Sequence, residues 1–193
     1  MAAPRALEVL PDPYEEFAAW YADVEDSAVC MITASSDGEP AGRTVTLEGF
    51  DERGFRFFTS YESPKARDLE GNPSGALVWY WAPDRQVRAA GPVERLSSAE
   101  SDAYWERRPR GHQLSVWASE QSMVIDSREA LEERAAAVAA RFEGQSVPRP
   151  GKWGGYRLSP DWFEFWRRRD DRLHDRWRYR PDGDGWSIER LAP

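Results

Sequence analysis

Three short runs of β-branched and aromatic residues, separated by turn sequences, constrain the fold of this chain more than any other feature. AVCMITAS (28–35) and GRTVTLEGF (42–50) flank the turn sequence SDGEP, and a second turn, DERG, precedes FRFFTS (55–60). Within the second run, valine and leucine alternate with threonine, as in a strand with one buried face. Strands joined by such short turns pair in antiparallel fashion, so this segment predicts a β-meander.

Later parts of the chain add strands and helices to this meander. Further strands are predicted at 75–82, 85–96, 162–167, 175–180 and 186–191. Helices are predicted over Pro13–Val24, from Ser63 to Gly71, from a capping box at Ser97–Glu100 to Arg107, and over Ser127–Phe142. The sequence therefore predicts an α+β fold: a small antiparallel β-barrel of about six to eight strands with peripheral helices. We expect residues 1–193 to form one domain, with a flexible segment over residues 1–12.

Composition argues against several functions. With 26 lysines and arginines against 34 aspartates and glutamates, the chain carries a net charge of −8, which disfavours binding to nucleic acid or an anionic membrane. The one cysteine, Cys30, excludes an internal disulfide, and its apolar neighbours predict that it packs in the interior. Two histidines are too few for an ordinary zinc site, and no glycine-rich phosphate loop is present. No export or anchoring signal is visible, so we expect a cytoplasmic protein.

The segment RRRDDRLHDR (167–176) is the densest cluster of charge in the sequence. Such a run is often a solvated surface. Because β-rich residues follow, we predict an extended conformation over 172–179, and period-two alternation then places Arg172, His174 and Arg176 on one face. Two cations beside an imidazole are costly in a core, so this face suits an anionic or electron-rich ligand.

The same segment carries a family resemblance. FEFWRRRDDRLHDR (Phe163–Arg176) resembles the C-terminal signature of the pyridoxine/pyridoxamine 5′-phosphate oxidase family, and the similarity continues to the terminal LAP. GRTVTLEGFDERGFRFFTS, SPKARDLEGNP, RQVRAAGPVERLS, YWERRPR and WASEQS resemble family segments in the same order. These ordered matches cover nearly everything after about residue 14.

The resemblance implies an FMN-binding split β-barrel that works as a homodimer with the flavin between the subunits. The implied flavin contacts are Arg43, Thr44, Val45, Phe58, Thr59, Lys65, Gln86, Gln121, Ser122, Trp166 and Arg176. Pro64 replaces a family arginine beside the flavin phosphate. In the family, hydride passes from the substrate carbon next to its amine or hydroxyl to the flavin, and O2 reoxidises the flavin to give H2O2. Arg172 and His174 match the family residues that hold and polarise the substrate.

The implied site for the substrate phosphate departs from the family pattern. Tyr104 and Arg108 are retained, but Glu48 stands at the lysine position and His112 at the serine position. A carboxylate about 5 Å from a phosphate adds repulsion of roughly 3 kcal/mol at an effective dielectric near 20. We expect Glu48 to pair with Arg108 and close this pocket. The alternative is compensation, in which a protonated His112 donates to the phosphate and Arg167–Arg169 supply a displaced anion site.

Three functional hypotheses remain open at this stage. The first is an FMN-dependent oxidase acting on a non-phosphorylated or atypical ring compound, similar to the flavin oxidases of phenazine biosynthesis. The second is an oxidase of pyridoxine or pyridoxamine 5′-phosphate that makes pyridoxal 5′-phosphate. The third is a flavin-binding protein without turnover, and flavin reduction by candidate substrates distinguishes it from the other two.

Overall fold

The computed structural model describes residues 9–193. The five helices are α1 (Pro13–Tyr21), α2 (Pro64–Gly71), α3 (Ser98–Arg107), α4 (Arg110–Ala118) and α5 (Arg128–Arg141). The ten strands are β1 (Ala28–Ala34), β2 (Pro40–Thr46), β3 (Gly49–Asp51), β4 (Gly54–Ser60), β5 (Ser74–Trp81), β6 (Arg85–Arg95), β7 (Trp153–Leu158), β8 (Trp162–Arg167), β9 (Asp175–Asp182) and β10 (Gly185–Arg190). No helix in the described part of the chain is long and apolar enough to cross a membrane.

The start of the described chain is fixed to the core. The backbone N–H of Leu10 donates to the Glu16 carboxylate at 2.9 Å, and the Leu10 carbonyl accepts from the Tyr179 hydroxyl at 2.8 Å. Asp12 accepts two backbone N–H groups in the first turn of α1. Most of the segment predicted to be flexible, residues 1–8, lies outside the described residues, whereas the chain from Leu10 onward is held in place.

All strand pairs are antiparallel, and strand β6 closes the barrel. One edge of β6 pairs with β5, while the other pairs first with β8 (Arg85–Ala90) and then with β7 (Val93–Arg95). Gly91 lies where the partner changes, and a Cβ there would stand 2.1 Å from the Ser159 carbonyl oxygen, so only glycine fits. The strand order β10-β9-β8-β6-β5-β1-β2, with β7 and β4 branching from β6, forms a curled sheet. The predicted α+β fold with an antiparallel barrel is confirmed.

The number of strands is higher than the predicted six to eight because two strands were missed. The run 42–50, predicted as one strand, is interrupted at Leu47 and Glu48 and forms β2 and β3. Strand β7 lies in a segment that was predicted to be a loop because of its glycines. Those glycines serve close packing instead, because a Cβ on Gly155 would lie 2.5 Å from Leu96 Cδ1.

Helix prediction failed in one place. Helix α4 was not predicted, because Pro109 and Gly111 at its start resemble helix breakers, although proline is tolerated where a helix begins. The capping box of Ser97 and Glu100 at α3 is present as predicted. Helix α1 ends three residues before the predicted Val24.

Residues alternate between two faces of the large sheet, and this alternation positions the site. Met31, Leu77, Ala89 and Phe163 are buried and register with one another across β1, β5, β6 and β8, so they define the inner face. Aromatic rings fill the barrel behind them, with Phe17 centroids 4.9 Å from Phe55 and 4.8 Å from Trp79. The intervening residues point outward. Cys30 is one of them and is exposed, which corrects the prediction that it packs in the interior.

Candidate functional site

A cluster of polar side chains lies at the barrel side of the sheet and is named here the barrel cluster: Arg43, Thr59, Lys65 and Gln121. The Lys65 ammonium donates to Thr59 Oγ1 at 3.1 Å, and Thr59 Oγ1 donates in turn to Gln121 Oε1 at 2.9 Å. The Gln121 oxygen also accepts the Ser60 backbone N–H at 3.1 Å. Strand β4 supplies Thr59 and the helix that follows it supplies Lys65, so a tight turn brings the two together.

The barrel cluster holds two cations close to each other. Arg43 NH1 donates to Thr33 Oγ1 at 2.7 Å, and its NH2 lies 3.6 Å from Asp68 Oδ2. Burial, and then the neighbouring Arg43 guanidinium, lower the pKa of Lys65 below its ordinary value. A bound anion would relieve both effects, so this arrangement suits a phosphate group.

A second group lies on the outer face and is named here the outer-face cluster: Gln86, Trp166, Arg172 and His174. Gln86 and Trp166 are paired across β6 and β8, with the exposed Tyr80 beside them on β5. The Trp166 and His174 rings lie 4.8 Å apart between centroids. An open cleft of about 250 Å³ is lined by Tyr80, Trp166, Arg168, Arg169, Asp170, Arg172 and His174.

The extended conformation predicted over 172–179 is wrong at its start. Strand β9 begins only at Asp175, and Arg172 adopts a left-handed backbone with φ of 68°. The alternation that was to align three side chains therefore does not apply, yet the loop still brings Arg172 and His174 to one cleft. Arg176 instead lies opposite Trp166 on β9, where its guanidinium donates to Glu164 and to the Ala192 carbonyl.

Backbone strain coincides with the predicted site. Among the described residues, the non-glycine residues with positive φ are Ser122 (70°) and Arg172 (68°), and both were predicted from the sequence as site residues. A left-handed non-glycine residue costs about 1–2 kcal/mol. Such strain concentrates at functional positions, so its placement supports the predicted roles.

The hydrogen bonding of His174 defines its tautomer. Its Nδ1 accepts the Arg169 backbone N–H at 3.0 Å. A neutral imidazole that accepts through Nδ1 carries its hydrogen on Nε2. His174 therefore offers an N–H donor to a ligand in the cleft.

The third predicted group surrounds Tyr104, whose ring stacks on Phe58 at 3.8 Å between centroids. Burial, and then the hydrogen bond to Glu48, raise the pKa of Tyr104 to about 12, and Arg108 partly opposes this shift. Tyr104 is thus a protonated hydroxyl with the Glu48 carboxylate and the Arg108 guanidinium in its neighbourhood. No Glu48–Arg108 ion pair within 4 Å is found in the described chain, so the predicted direct pairing is not formed, although both side chains act on the pKa of the Tyr104 hydroxyl.

Arg108 and His112, the remaining residues of this group, do not point to one common pocket. Arg108 lies over the Trp153 ring at 5.0 Å, and its buried Nε has no hydrogen-bond partner among the described residues. Two cavities lie in this region, one lined in part by Arg108 and Trp153 and one lined in part by Glu48 and Tyr104. His112 is exposed on α4 and lines neither of them. The predicted role of His112 in this pocket is therefore not supported by its position.

Two features of the site were missed from the sequence. Glu164 is a buried carboxylate that binds both Arg88 and Arg176. Burial would raise its pKa, but hydrogen bonds from Arg176 and Arg88 outweigh burial and lower it. The sequence could have indicated Glu164, because it is a glutamate at an outward position between two buried phenylalanines. Arg168 was considered from the sequence only together with Arg167 and Arg169, as a possible displaced anion site, and was not separated from them.

The predicted flavin contacts divide between the two faces of the sheet. Arg43 and Val45 register with buried residues of β1 on the inner face, whereas Thr44, Gln86, Trp166 and Arg176 point outward. Arg43 on β2 and Trp166 on β8 are also separated in the sheet by the three strands β6, β5 and β1. Within one chain the two groups of residues therefore point to opposite faces of the sheet.

Comparison with known proteins gives one consistent family. A family model described as pyridoxamine 5′-phosphate oxidase matches residues 14–142, and one described as the pyridoxine 5′-phosphate oxidase C-terminal dimerisation region matches 153–193. Proteins named pyridoxine/pyridoxamine 5′-phosphate oxidase from Rubrobacter xylanophilus and Salinibacter ruber are each 50% identical to this chain. The alignments cover 95% and 96% of this chain and 88% and 91% of those proteins.

Solved structures confirm the split-barrel fold. PhzG from Burkholderia lata, in complex with tetrahydrophenazine-1-carboxylic acid, superposes with a TM-score of 0.90 at 32% identity and covers 100% of this chain and 98% of its own. A pyridoxamine 5′-phosphate oxidase-related, FMN-binding protein from Nostoc punctiforme has a TM-score of 0.72 at 21% identity, which bears on the fold alone.

Proposed function

The chain belongs to the pyridoxamine 5′-phosphate oxidase family, and from this premise we propose that it is an FMN-dependent oxidase of a ring-shaped substrate. The observation that carries the proposal is the barrel cluster, where the fold holds the cations of Arg43 and Lys65 together beside Thr59 and Gln121. When bound, FMN supplies a two-electron acceptor that takes hydride from the substrate and passes electrons to O2, yielding H2O2.

The barrel cluster holds the FMN phosphate in this proposal. Lys65 is buried with a lowered pKa, so it regains interaction energy when an anion replaces its lost hydration. Arg43 is kept in place by Thr33 and Asp68 and adds charge-assisted donors. The amides of Gln86 and Gln121 are suited to hydrogen bond with the edge of the flavin ring.

We further propose a homodimer in which each flavin site combines the barrel cluster of one subunit with the outer-face cluster of the other. Support comes from the separation of the two clusters within one chain. The segment similar to a C-terminal dimerisation region, 153–193, contains β8 and β9, which carry Trp166 and Arg176, and the loop that carries Arg172 and His174. A two-fold axis would bring these outward-facing residues onto the barrel of the partner.

The substrate is held by Arg172 and His174 in this proposal. The His174 Nε2–H donates to the substrate amine or hydroxyl and orients the reacting carbon, while the Arg172 guanidinium contacts the substrate from the same cleft. The Glu48 carboxylate at the Tyr104 hydroxyl disfavours a phosphate there, so a non-phosphorylated or otherwise atypical ring compound is the first candidate. PhzG carries a ring acid of this kind.

A second candidate substrate is pyridoxine or pyridoxamine 5′-phosphate. It is favoured by the 50% identity to proteins that bear the name of that activity. In that case Arg108, whose buried Nε has no hydrogen-bond partner in the described chain, supplies the phosphate contact.

Anaerobic flavin bleaching tests the proposal. The protein is loaded with FMN and mixed without oxygen with the two vitamer phosphates, their dephosphorylated forms and reduced ring heterocycles. The proposal predicts bleaching by at least one ring substrate and H2O2 release when air is admitted. Failure to bind FMN would refute it, and stable FMN binding without reduction by any member of the panel would identify a flavin-binding protein instead of an oxidase.

A further inference from the structure

We propose that the cleft beside His174 is an anion site, in which Arg168 and Arg172 bind a carboxylate or phosphate carried by the ring-shaped substrate. The inference rests on the proposed function, because it names the substrate class taken at the same site. It assigns a binding role to Arg168.

The charge of the cleft favours an anion. Three guanidinium groups, those of Arg168, Arg169 and Arg172, line it against the single carboxylate of Asp170. In a chain with a net charge of −8, such a local excess of positive charge is a departure from the average surface. Arg167, next in sequence, lies away from the cleft, with its guanidinium 5.2 Å from the centre of the Trp20 ring.

The arginines of the cleft have different tasks. Arg169 binds Asp175, which also accepts from Arg190 at 2.7 Å. Burial would raise the pKa of Asp175, but these two arginines outweigh burial and lower it. Together with the bond from the Arg169 N–H to His174, these contacts fix the loop on strand β9.

Arg168 and Arg172 are the groups available to a ligand. The Arg168 backbone N–H donates to the Asp84 carbonyl at 2.8 Å, which fixes its main chain, but within residues 9–193 its side chain forms no hydrogen bond or ion pair. The same holds for the side chain of Arg172. Each of these two exposed guanidinium groups is a planar fork of N–H donors, which matches the geometry of a carboxylate or phosphate.

The walls of the cleft fit a ring that bears this anion. Tyr80, which is 61% exposed, and Trp166, which has the His174 imidazole beside it, both line the cleft. Aromatic walls with a cationic end recognise a planar, negatively charged molecule. Near Tyr104, in contrast, Glu48 contributes a negative charge. The substrate anion is therefore bound by the outer-face loop and not by Tyr104 and Arg108.

The test compares charged and neutral versions of two ligands that are not turned over. Phenazine-1-carboxylate is paired with phenazine-1-carboxamide, and 4′-deoxypyridoxine 5′-phosphate with 4′-deoxypyridoxine. Dissociation constants are measured by calorimetry for the FMN-loaded and the FMN-free protein. The variants are Arg168→Glu and the milder Arg168→Gln, and the matched control is Arg180→Glu, a charge reversal at an exposed arginine of β9 outside the cleft.

The wild type is expected to prefer the charged member of at least one pair. Arg168→Glu should raise the dissociation constant of that charged ligand by about tenfold or more, because a charged hydrogen bond is lost and repulsion replaces it. The dissociation constant of the neutral ligand in the same pair should change by less than about twofold, since that ligand makes no charged contact. Arg168→Gln should give an intermediate loss, and Arg180→Glu none. Whether the carboxylate pair or the phosphate pair responds identifies the anion.

Equal weakening of charged and neutral ligands by Arg168→Glu, or no weakening of either, would overturn the anion site. An absence of charge preference in the wild type would overturn it as well. Failure of the proposed function is seen separately as a failure to bind FMN, because the ligand titrations are also made on the FMN-free protein.

Discussion

The barrel cluster and the outer-face cluster differ in how far the single chain completes them. Lys65 and Thr59 are 6% and 3% exposed and lie on regular elements, with each polar atom bonded to the next. Arg172 lies in an exposed loop with a left-handed backbone, and its side chain forms no hydrogen bond or ion pair in the described chain. In the proposed site, the fold thus builds the half assigned to the FMN phosphate in advance, whereas the half assigned to the substrate is less ordered by its own chain.

Removal of the buried cation is expected to have the largest effect. Lys65→Met should weaken FMN binding by about a hundredfold, because it deletes a desolvated charged donor. Flavin-fluorescence quenching measures the affinity. The neighbouring Arg67→Met, an exposed position on the same helix, serves as control and should leave binding unchanged.

Thermal unfolding of the FMN-free protein sharpens this prediction. Because burial lowers the pKa of Lys65, its charged form is costly in the folded state, and the methionine variant should unfold at the same or a higher temperature. A variant that loses both FMN binding and stability would show that Lys65 serves the fold and not the ligand.

Restoration of a cation near Tyr104 is expected to have the next largest effect. Glu48→Lys should tighten binding of 4′-deoxypyridoxine 5′-phosphate by about tenfold, since repulsion is replaced by attraction. Glu48→Gln, which removes the charge alone, should give part of the gain in the same calorimetric titration. No gain in either variant would contradict the view that Glu48 excludes phosphate from this pocket.

The pH dependence of FMN binding reports on the barrel cluster. The pKa of Lys65 in the free protein lies below its ordinary value of 10.5, so the ammonium is lost earlier as pH rises. FMN affinity should therefore fall, severalfold at most, between neutral pH and 10.5. Riboflavin, which lacks the phosphate, controls for ionisation of the ring, and Lys65→Met should abolish the additional fall seen with FMN.

The smallest expected effect concerns backbone strain in the outer-face loop. At a φ of 68°, glycine is better tolerated than alanine, so Arg172→Gly should be more stable than Arg172→Ala by about 1 kcal/mol. Urea denaturation of the two variants measures the difference. Equal stabilities would indicate that the loop relaxes and that the strain is not imposed by its surroundings.

The sequence predicted those features that depend on local pattern. The capping box at Ser97 follows from two side chains three positions apart, and the meander follows from alternation and turns. Alternation also explains why Arg167, two positions beyond the buried Phe165, packs inward while Arg168 faces the cleft. The position of Arg167 was therefore available from the sequence.

Features that depend on tertiary packing were not predictable in this way. Glu48 had two candidate partners four residues apart, Tyr104 on α3 and Arg108 just beyond its end, and spacing alone does not choose between them. The left-handed backbone of Arg172 breaks the period-two pattern, and no local residue signals it. Strand β7 was missed because its glycines are required by the close approach of Leu96, which lies far away in sequence.

Complementation between two defective chains tests the central claim most directly. Lys65→Met chains, defective in the barrel cluster, are combined with Trp166→Ala chains, defective in the outer-face cluster, and mixed dimers are isolated through two affinity tags. If each site joins clusters from different subunits, the mixed dimer contains one intact site and binds one FMN under conditions in which neither parent binds. If both clusters of a site come from one chain, every site in the mixed dimer carries a defect, and the absence of FMN would contradict the account.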